Sequence, residues 1–295
     1  MARKKTEKGN ATLMLVTSML IYSTIGIFRK FIPMSSVALA FSRGLMGGLF
    51  LLFWLKLNGK SGRLGISKRK LGMLCLTSVA LGGNWILLFE AYNYTSVAVA
   101  TLCYYMQPTI LILISPLVFK EKLTFKKLTC AIISLVGMVL ISGVLDGSNS
   151  GSNNLKGVLL GLGAAALYTT VVILNKKNPV EDATKKTMVQ LLASSLVMAP
   201  YMLLTEGVSG FHLNGVGIAM LVVVGLVHTG IAYVMYFGSV QKLPSQTVAV
   251  LSYIDPVGAI LLACLILGEG KNLTEIIGAI LILGATLVSE IRRKK

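Results

Sequence analysis

The chain has 295 residues, of which 55% are hydrophobic and only 13% are charged, and its mean hydropathy is +0.78. Soluble domains carry roughly 25% charged residues, so this composition cannot supply the surface of a water-soluble protein. The formal net charge of +17 would suit nucleic-acid binding, but that function needs a basic face on a folded domain. Here the basic residues lie in short clusters between apolar stretches. The sequence therefore excludes a nucleic-acid partner and predicts a polytopic protein of the lipid bilayer.

The four cysteines give no sign of a metal site or a disulfide framework. Cys75, Cys103, Cys130 and Cys264 all lie inside apolar stretches, and their spacing matches no metal-binding motif. We therefore expect reduced, buried thiols, no bound metal and no cofactor. The basic N-terminal segment precedes an apolar run without an evident small-residue cleavage site, which predicts a retained first helix and not a removed signal peptide.

Ten apolar segments are long enough to cross a membrane. A transmembrane helix needs about 20 apolar residues. On that length the sequence predicts spans at 10–28, 36–56, 71–93, 96–118, 125–143, 156–175, 187–204, 215–238, 246–267 and 274–291. The expected fold class is therefore an all-α membrane protein with ten transmembrane helices, five in each half.

The basic residues predict the orientation of these spans, because cytoplasmic segments of membrane proteins carry an excess of Lys and Arg. Most of the 28 basic residues lie on the side that carries the N-terminus, whereas Arg29, Lys30, Lys156 and Lys271 lie on the opposite side. Both termini are therefore expected in the cytoplasm. Since five is an odd number, the second half enters from the opposite side, and the halves form inverted repeats.

A polar segment separates the two halves. Residues 146–154, DGSNSGSNN, are rich in Gly, Ser and Asn, as expected of a flexible external connection. The sequence thus predicts a first five-helix repeat at residues 1–145, a linker at 146–154 and a second five-helix repeat at 155–295.

The two halves also match each other in sequence. Residues 82–121 align without a gap with residues 230–269. The matched pairs include Phe89 with Phe237, Tyr105 with Tyr253, Pro108 with Pro256, and Glu121 with Glu269. A similar alignment of the first and sixth spans pairs Tyr22 with Tyr168 and Lys30 with Lys176. The repeat therefore covers whole halves.

Each half carries a proline inside an apolar span, at Pro108 and Pro256. A proline removes one N–H and leaves the carbonyl four residues earlier without its helical partner. Here those carbonyls belong to Tyr104 and Ser252. Within hydrocarbon, such a carbonyl is tolerated only against protein or a water-filled cavity. A helix break of this kind fits a packing kink or a solute pathway, and its presence in both halves favours the pathway.

Four ionisable side chains lie inside the predicted spans, where a charge is costly unless it faces a partner or a cavity. Asp255 and His228 lie near the middle of the ninth and eighth spans, and either can exchange protons near neutral pH. Arg43 could instead be a structural partner of helix-end carbonyls. Glu90 lies near the outer end of its span and could instead be a solvated carboxylate at the membrane interface. All four are candidates for substrate binding or coupling, although a lone histidine can also simply hydrogen-bond across helices.

Aromatic and polar side chains deep in the spans complete the candidate site. Their rings can hold apolar or cationic parts of a solute while the hydroxyl groups form hydrogen bonds, although ordinary packing explains any single ring. Gln107 occupies the repeat position that corresponds to Asp255. The remaining candidates are Gln107, Ser252, Trp85, Tyr22, Tyr104, Tyr105, Tyr168, Tyr233, Tyr236 and Tyr253.

The chain resembles the ten-helix, EamA-type members of the drug/metabolite transporter superfamily. The resemblance rests on FEAYNYTSVAVATLCYYMQPTILILISPLVFKEKLT in the first half and YFGSVQKLPSQTVAVLSYIDPVGAILLACLILGE in the second. Arg43 and the closing helices IISLVGMVLIS and IIGAILILGATLVS add to it. One departure is Lys120-Glu121, where the family usually has Gly-Glu. The resemblance implies a central cavity formed mainly by the first, third, fourth, sixth, eighth and ninth helices.

The resemblance also implies transport, since the family contains exporters of amino acids and metabolites and importers of small nutrients. We expect a secondary transporter in the plasma membrane of a bacterium, acting as a monomer or homodimer on a small amphoteric or cationic metabolite. Proton-coupled export by alternating access is the first hypothesis, and gradient-driven import is the alternative. A membrane-embedded enzyme is disfavoured because close-spaced metal ligands are missing from the sequence, and a channel because no ring of like charges is evident.

Overall fold

All regular secondary structure that can be described in this chain is helical. The computed structural model describes residues 2–60, 67–95, 97–141, 154–180, 182–207, 214–267 and 273–290. No β-strand occurs in these ranges, which confirms the all-α part of the predicted fold class. Most of the predicted linker 146–154, and Glu269, lie outside the described residues.

The described chain forms a series of α-helices with one π-helical segment. The α-helices are α1 Ala2–Ser23, α2 Ile25–Arg29, α3 Ser36–Leu57, α4 Lys68–Ala91, α5 Val97–Tyr104, α6 Gln107–Phe119, α7 Phe125–Ile141, α8 Asn154–Lys177, α9 Ala183–Thr205, α10 Gly215–Val223, α11 Ala232–Val240, α12 Ser245–Ser252, α13 Ile254–Leu267 and α14 Leu273–Glu290. The π-helical segment Val224–Ile231 joins α10 to α11.

Seven helical stretches of the described chain are long and apolar enough to cross a membrane. They are Glu7–Arg29, Ser36–Leu57, Lys68–Ala91, Val99–Phe119, Leu155–Lys177, Ala183–Thr205 and Gly215–Val240. These stretches coincide with the first to fourth and the sixth to eighth predicted spans. Ten membrane-crossing helices and the cytoplasmic position of the termini stay predictions.

Local side chains explain where several helices begin. The first N–H groups of a helix have no acceptor within it, and short polar side chains supply one. Ser35 Oγ accepts from Ala38 N at the start of α3, and Asp182 Oδ1 accepts from two N–H groups at the start of α9. Asn214 caps α10 in the same way. Polar residues between the apolar runs therefore fix helix starts.

Four predicted spans contain an irregularity inside the fold. The helix of the fourth span stops at Tyr104 and starts again at Gln107, directly before Pro108. The helix of the ninth span is interrupted at Tyr253. The first span is interrupted at Thr24 and the eighth contains the π-helical segment, although neither has a proline there. The sequence did not predict these last two features.

The backbone at the end of α6 explains why glycine is usual at the position that Lys120 occupies. Lys120 has φ of 54°, in the left-handed region, where a side chain is strained and glycine is favoured. The second half carries Gly268 at the matching position. This position therefore requires a left-handed residue, which Lys120 supplies at some cost.

Helices from the two sides of the linker pack against each other. Helix α4 of the first half packs on α8 and α9 of the second half. Helix α3 packs on α9 and on the π-helical segment, and α1 packs on α11 and α13. Two further pairs that pack across the halves are α6 with α12 and α7 with α14. The halves thus contact each other along most of their helices, and a space remains between them near the interruptions that separate α5 from α6 and α12 from α13.

Candidate functional site

A cavity of about 560 Å³ lies between the two halves. This volume is within the range of small-molecule sites. Its walls come from α1, α2, α3, α4, α5, α6, α8, α11, α12 and α13. Helices α7 and α14 contribute none of its lining residues.

Most of the sequence-predicted site residues meet at this cavity. Those that line it are Arg43, Gln107, Ser252, Asp255, Trp85, Tyr22, Tyr104, Tyr105, Tyr168, Tyr233 and Tyr236, together with Pro108. They come from both halves, so the fold brings together residues that are far apart in sequence.

Arg43 projects from the continuous helix α3 toward the cavity. Its guanidinium lies over the ring of Trp85, with Cζ 5.1 Å from the ring centroid. A cation over an aromatic face is attracted by the ring quadrupole. In the described part of the chain, no carboxylate forms an ion pair with Arg43. The positive charge is thus positioned by an aromatic ring and left available to an anionic group.

Asp255 lies in the first turn of α13, immediately after the interruption at Tyr253. A carboxylate is stabilised near the N-terminus of a helix. Within the described ranges, Asp255 has no ion-pair or hydrogen-bond partner, and it is the only acidic residue among those that line the cavity. The cavity therefore offers one carboxylate to a positive group.

Aromatic rings that contact one another form part of the cavity wall. The Tyr104 and Tyr168 rings stack with centroids 5.9 Å apart, and Tyr168 stacks on Tyr236 at 6.3 Å. Tyr22 contacts Tyr236 edge-on at 6.3 Å and Tyr233 at 5.5 Å. Such a wall suits apolar or cationic parts of a solute.

Two candidates face other parts of the protein. The Tyr201 hydroxyl of α9 donates to Glu90 Oε2 at 2.5 Å, and Glu90 does not line the cavity. Tyr253 is fully buried, and its hydroxyl bonds to Thr109 Oγ1 at 2.7 Å. The structure thus places Glu90 and Tyr253 at contacts between helices.

His228 also lies outside the cavity lining, in the π-helical segment. The Thr24 hydroxyl donates to Ile21 O at 2.8 Å, so the 2.7 Å contact to His228 requires Nε2–H to donate to Thr24 Oγ1. The imidazole also meets the Phe28 ring edge-on at 4.9 Å. His228 therefore holds the interruption between α1 and α2, next to the cavity wall.

Some lining residues were not among the sequence candidates. Arg29 lines the cavity, but its guanidinium donates to Ile32 O and Met34 O, each at 2.6 Å. Tyr92 also lines it, and its hydroxyl lies 3.4 Å from Thr101 Oγ1. Arg29 lies just beyond the end of the predicted first span, and Tyr92 lies at the end of the predicted third span. At such positions a sequence pattern does not separate the cavity rim from an external loop.

Comparison with known proteins identifies the family. The model of the EamA-like transporter family matches residues 9–143 and again residues 155–290. The chain belongs to the EamA-like transporter family. Two matches to the same family model agree with the resemblance in the sequence motifs. The protein is therefore a membrane transporter of the drug/metabolite transporter superfamily, with several spans in the cell membrane.

Relatives cover most of this EamA-type chain. It is 27% identical to the uncharacterized transporter YxxF of Bacillus subtilis, over 98% of this chain and 92% of the relative. It is also 27% identical to protein RarD of Salmonella typhi, over 70% of this chain and 68% of the relative. A crystal structure with 22% identity superposes with a TM-score of 0.81, over 95% of this chain and 97% of the other. That likeness concerns the fold alone.

Proposed function

We propose that this EamA-type transporter carries a small amphoteric or cationic metabolite, such as an amino acid or an organic amine. Proton-coupled export by alternating access is the proposed mode of transport. The observation that carries the proposal is that one aromatic cavity is lined by Arg43 and Asp255, two residues of opposite charge for which the described part of the chain contains no salt bridge.

The charge balance of the cavity favours this class of solute. A phosphorylated sugar would call for several basic side chains aimed at its oxyanion. Of the two arginines that line the cavity, Arg29 is bonded to backbone carbonyls, which leaves Arg43. An ammonium group suits Asp255 and the tyrosine rings, and a carboxylate suits Arg43. An amine that lacks a carboxylate would use the Asp255 side alone.

Asp255 is also the best candidate for proton coupling. A proton and a cationic solute that compete for one carboxylate are exchanged, because protonation of Asp255 releases the solute and binding of the solute displaces the proton. This competition favours antiport, in which protons enter as the metabolite leaves. Import by a symporter would require proton and solute to bind together, and among the described residues that line the cavity Asp255 is the only acidic one.

Reconstituted protein tests this proposal directly. Proteoliposomes loaded with a panel of amino acids and amines should show saturable counterflow of radiolabelled solute that an imposed pH gradient accelerates. Asp255→Asn, which keeps the side-chain shape and removes the charge, should abolish this flux while the protein still folds. Glu90→Gln is the matched control, since Glu90 contacts Tyr201 away from the cavity and its loss should leave flux in place. Wild-type flux and pH dependence in Asp255→Asn would refute the proposal.

A further inference from the structure

The cavity lies toward one end of the helices that form it. Its lining residues on α3 all fall at or before Arg43, and those on α4 fall at or after Trp85. Helix α3 begins, and α4 ends, at the face that the basic residues predict to be extracellular, which we call the outer face. The opposite face, where α6 and α8 end and α12 begins, is the inner face. The cavity is therefore displaced toward the outer face, and the buried side chains of Leu111, Val171 and Val248 lie on its inner side.

At the inner face, three elements meet around the carboxylate of Glu121. Glu121 follows α6, Lys176 lies in the last turn of α8, and Ser245 and Gln246 open α12. Oε1 of Glu121 accepts from Lys176 Nζ at 2.8 Å, from Ser245 N at 2.9 Å and from Ser245 Oγ at 3.0 Å. Oε2 accepts from Gln246 N at 3.3 Å. One carboxylate of the first half thus holds two helices of the second half.

Additional hydrogen bonds connect the same elements. Lys176 Nζ also donates to Leu243 O at 2.9 Å, in the turn before α12. The buried side chain of Gln246 donates to Ser115 Oγ of α6 at 2.9 Å. The side chains of Lys176 and Glu121 keep only 17% and 18% of their exposure. The contact is therefore shielded from most of the solvent.

Glu121 supplies a cap that α12 lacks in its own sequence. The residue before α12 is Pro244, which makes no side-chain cap hydrogen bond. The N–H groups of a first helical turn need an outside acceptor, and a carboxylate there is also favoured by the helix dipole. Because this cap comes from the other half of the chain, it is lost whenever α6 and α12 move apart. Its charges then become hydrated, which offsets much of the lost attraction and makes the contact easier to reverse than an apolar one.

We propose that Glu121, Lys176, Ser245 and Gln246 form a latch that closes the inner end of the cavity and separates when the cavity opens to the inner face. The inference rests on the alternating-access part of the proposed function. The latch is the contact that opposes the state in which the cavity is open at the inner face. Loss of the latch should therefore shift the population toward the state that is open at the inner face.

Accessibility of a cavity residue tests the latch without any substrate. Ser252 lines the cavity, so Ser252→Cys is introduced into a chain whose four native cysteines are replaced by alanine. Right-side-out and inside-out membrane vesicles are then treated with a membrane-impermeant, charged maleimide. The background chain should be labelled mainly from the outer face. Glu121→Gln and Lys176→Met should each raise labelling from the inner face about tenfold, which corresponds to a population shift of about 1.4 kcal/mol.

Two features of the design keep the result interpretable. Lys177→Met is the matched control, because Lys177 neighbours Lys176 but is exposed to solvent, and it should label like the background chain. Lys176→Met leaves the Glu121 cap on α12 in place, so it decides the question if Glu121→Gln fails to fold. Inner-face labelling that stays at the background level in Lys176→Met would overturn the latch. Raised labelling in a protein that transports no amine or amino acid would uphold the latch and refute the proposed substrate class.

Discussion

Arg43 and Asp255 reach the cavity in different ways. Arg43 projects from an uninterrupted helix and is held over the Trp85 ring, so its position depends on packing. Asp255 stands at the start of a new helix, α13, which begins inside the fold because the preceding helix stops at Ser252. The two charges therefore depend on different local structures, and substitutions can separate their roles.

Arg43→Gln should separate the two ends of the solute. A hydrogen bond to a charged group contributes about 1.5–3 kcal/mol, so the affinity for an amino acid should fall by roughly tenfold or more. The affinity for the amine that lacks the carboxylate should stay within a small factor of the wild-type value. Competition binding with matched amino acid and amine pairs measures both. Equal losses for the two members of a pair would show that Arg43 does not bind the carboxylate.

Glu121 gives the inner face a dependence on pH. Burial raises the pKa of its carboxyl, but hydrogen bonds from Lys176 and from Ser245 N–H, and the Lys176 charge, outweigh burial and lower the pKa overall. In the part of the chain that is described, Lys176 is the charged side chain in contact with Glu121. A lowered pKa in the folded state means that the contact stabilises the fold above the ordinary Glu pKa. This stabilisation is lost as the pH falls through the lowered value.

The melting temperature should reveal this loss. Between pH 7 and about pH 3, the wild-type protein should lose more thermal stability than Glu121→Gln, because the ordinary glutamate pKa is about 4.3 and the variant has no charge to lose there. The stability difference between the two proteins should be largest at neutral pH and shrink in acid. Parallel melting curves across this pH range would contradict the role of the Glu121 charge.

The contact between α3 and the π-helical segment is the element that sets the position of Arg43. A Cβ added to Gly47, about one turn after Arg43, would lie 2.9 Å from Gly225 O and 3.1 Å from Gly230 N. These atoms belong to backbone and cannot yield easily. The close approach of the two helices therefore requires glycine at position 47, and a larger residue would displace α3 and the guanidinium that it carries.

Gly47→Ala should destabilise the protein by about 1–3 kcal/mol, as overpacking does. Gly72→Ala is the control, since Gly72 lies in α4 with nothing within 4 Å of the added Cβ. Alanine there should be neutral or stabilise by up to about 1 kcal/mol through helix propensity. Denaturation of the two purified variants in the same detergent provides the comparison. Similar stability of both would argue against the tight contact.

The helix interruptions show which features are encoded locally. The interruptions before Pro108 and Pro256 follow from chemistry that is visible in sequence, because each proline removes one N–H. Pro116 and Pro200 nevertheless lie inside the continuous helices α6 and α9. A proline alone therefore does not predict an interruption, and the repeat, which aligns Pro108 with Pro256, was needed to identify the two that do. The interruption at Thr24 depends on a tertiary contact with His228, which no local pattern reveals.

The same distinction holds for the site residues. The depth of each ionisable residue in its span could be predicted from the sequence, but the direction in which its side chain points could not. Arg43 and Asp255 face the cavity, whereas Glu90 meets Tyr201 and His228 meets Thr24. Glu121 and Lys176 were visible as repeat positions, but their meeting depends on how α6, α8 and α12 pack. Direction and pairing are properties of the folded chain.

At the scale of the whole molecule, the packing reflects the internal repeat. Helix α3 packs on α9 and α7 packs on α14, and in each of these pairs the two helices occupy matching places in the two halves. Helix α6 packs on α12, and these two helices belong to the matching fourth and ninth spans. The contact of α4 with α8 is likewise matched by that of α11 with α1. In the proposed alternating access, the two inverted halves would exchange conformations, and the cavity would open to opposite faces in two states related by the pseudo-two-fold axis. The latch at the inner face opposes one of them.

Ligand-induced thermal stabilisation shows whether the cavity binds a solute through Asp255 and Arg43. A ligand at 100 times its dissociation constant stabilises the folded state by about 2.7 kcal/mol. In a panel of amino acids, amines, nucleosides, sugars and organic anions, we expect amino acids or amines to raise the melting temperature of the wild-type protein. The same compounds should give no shift with Asp255→Asn. A shift produced only by neutral sugars or by anions, or an undiminished shift in Asp255→Asn, would contradict the claim.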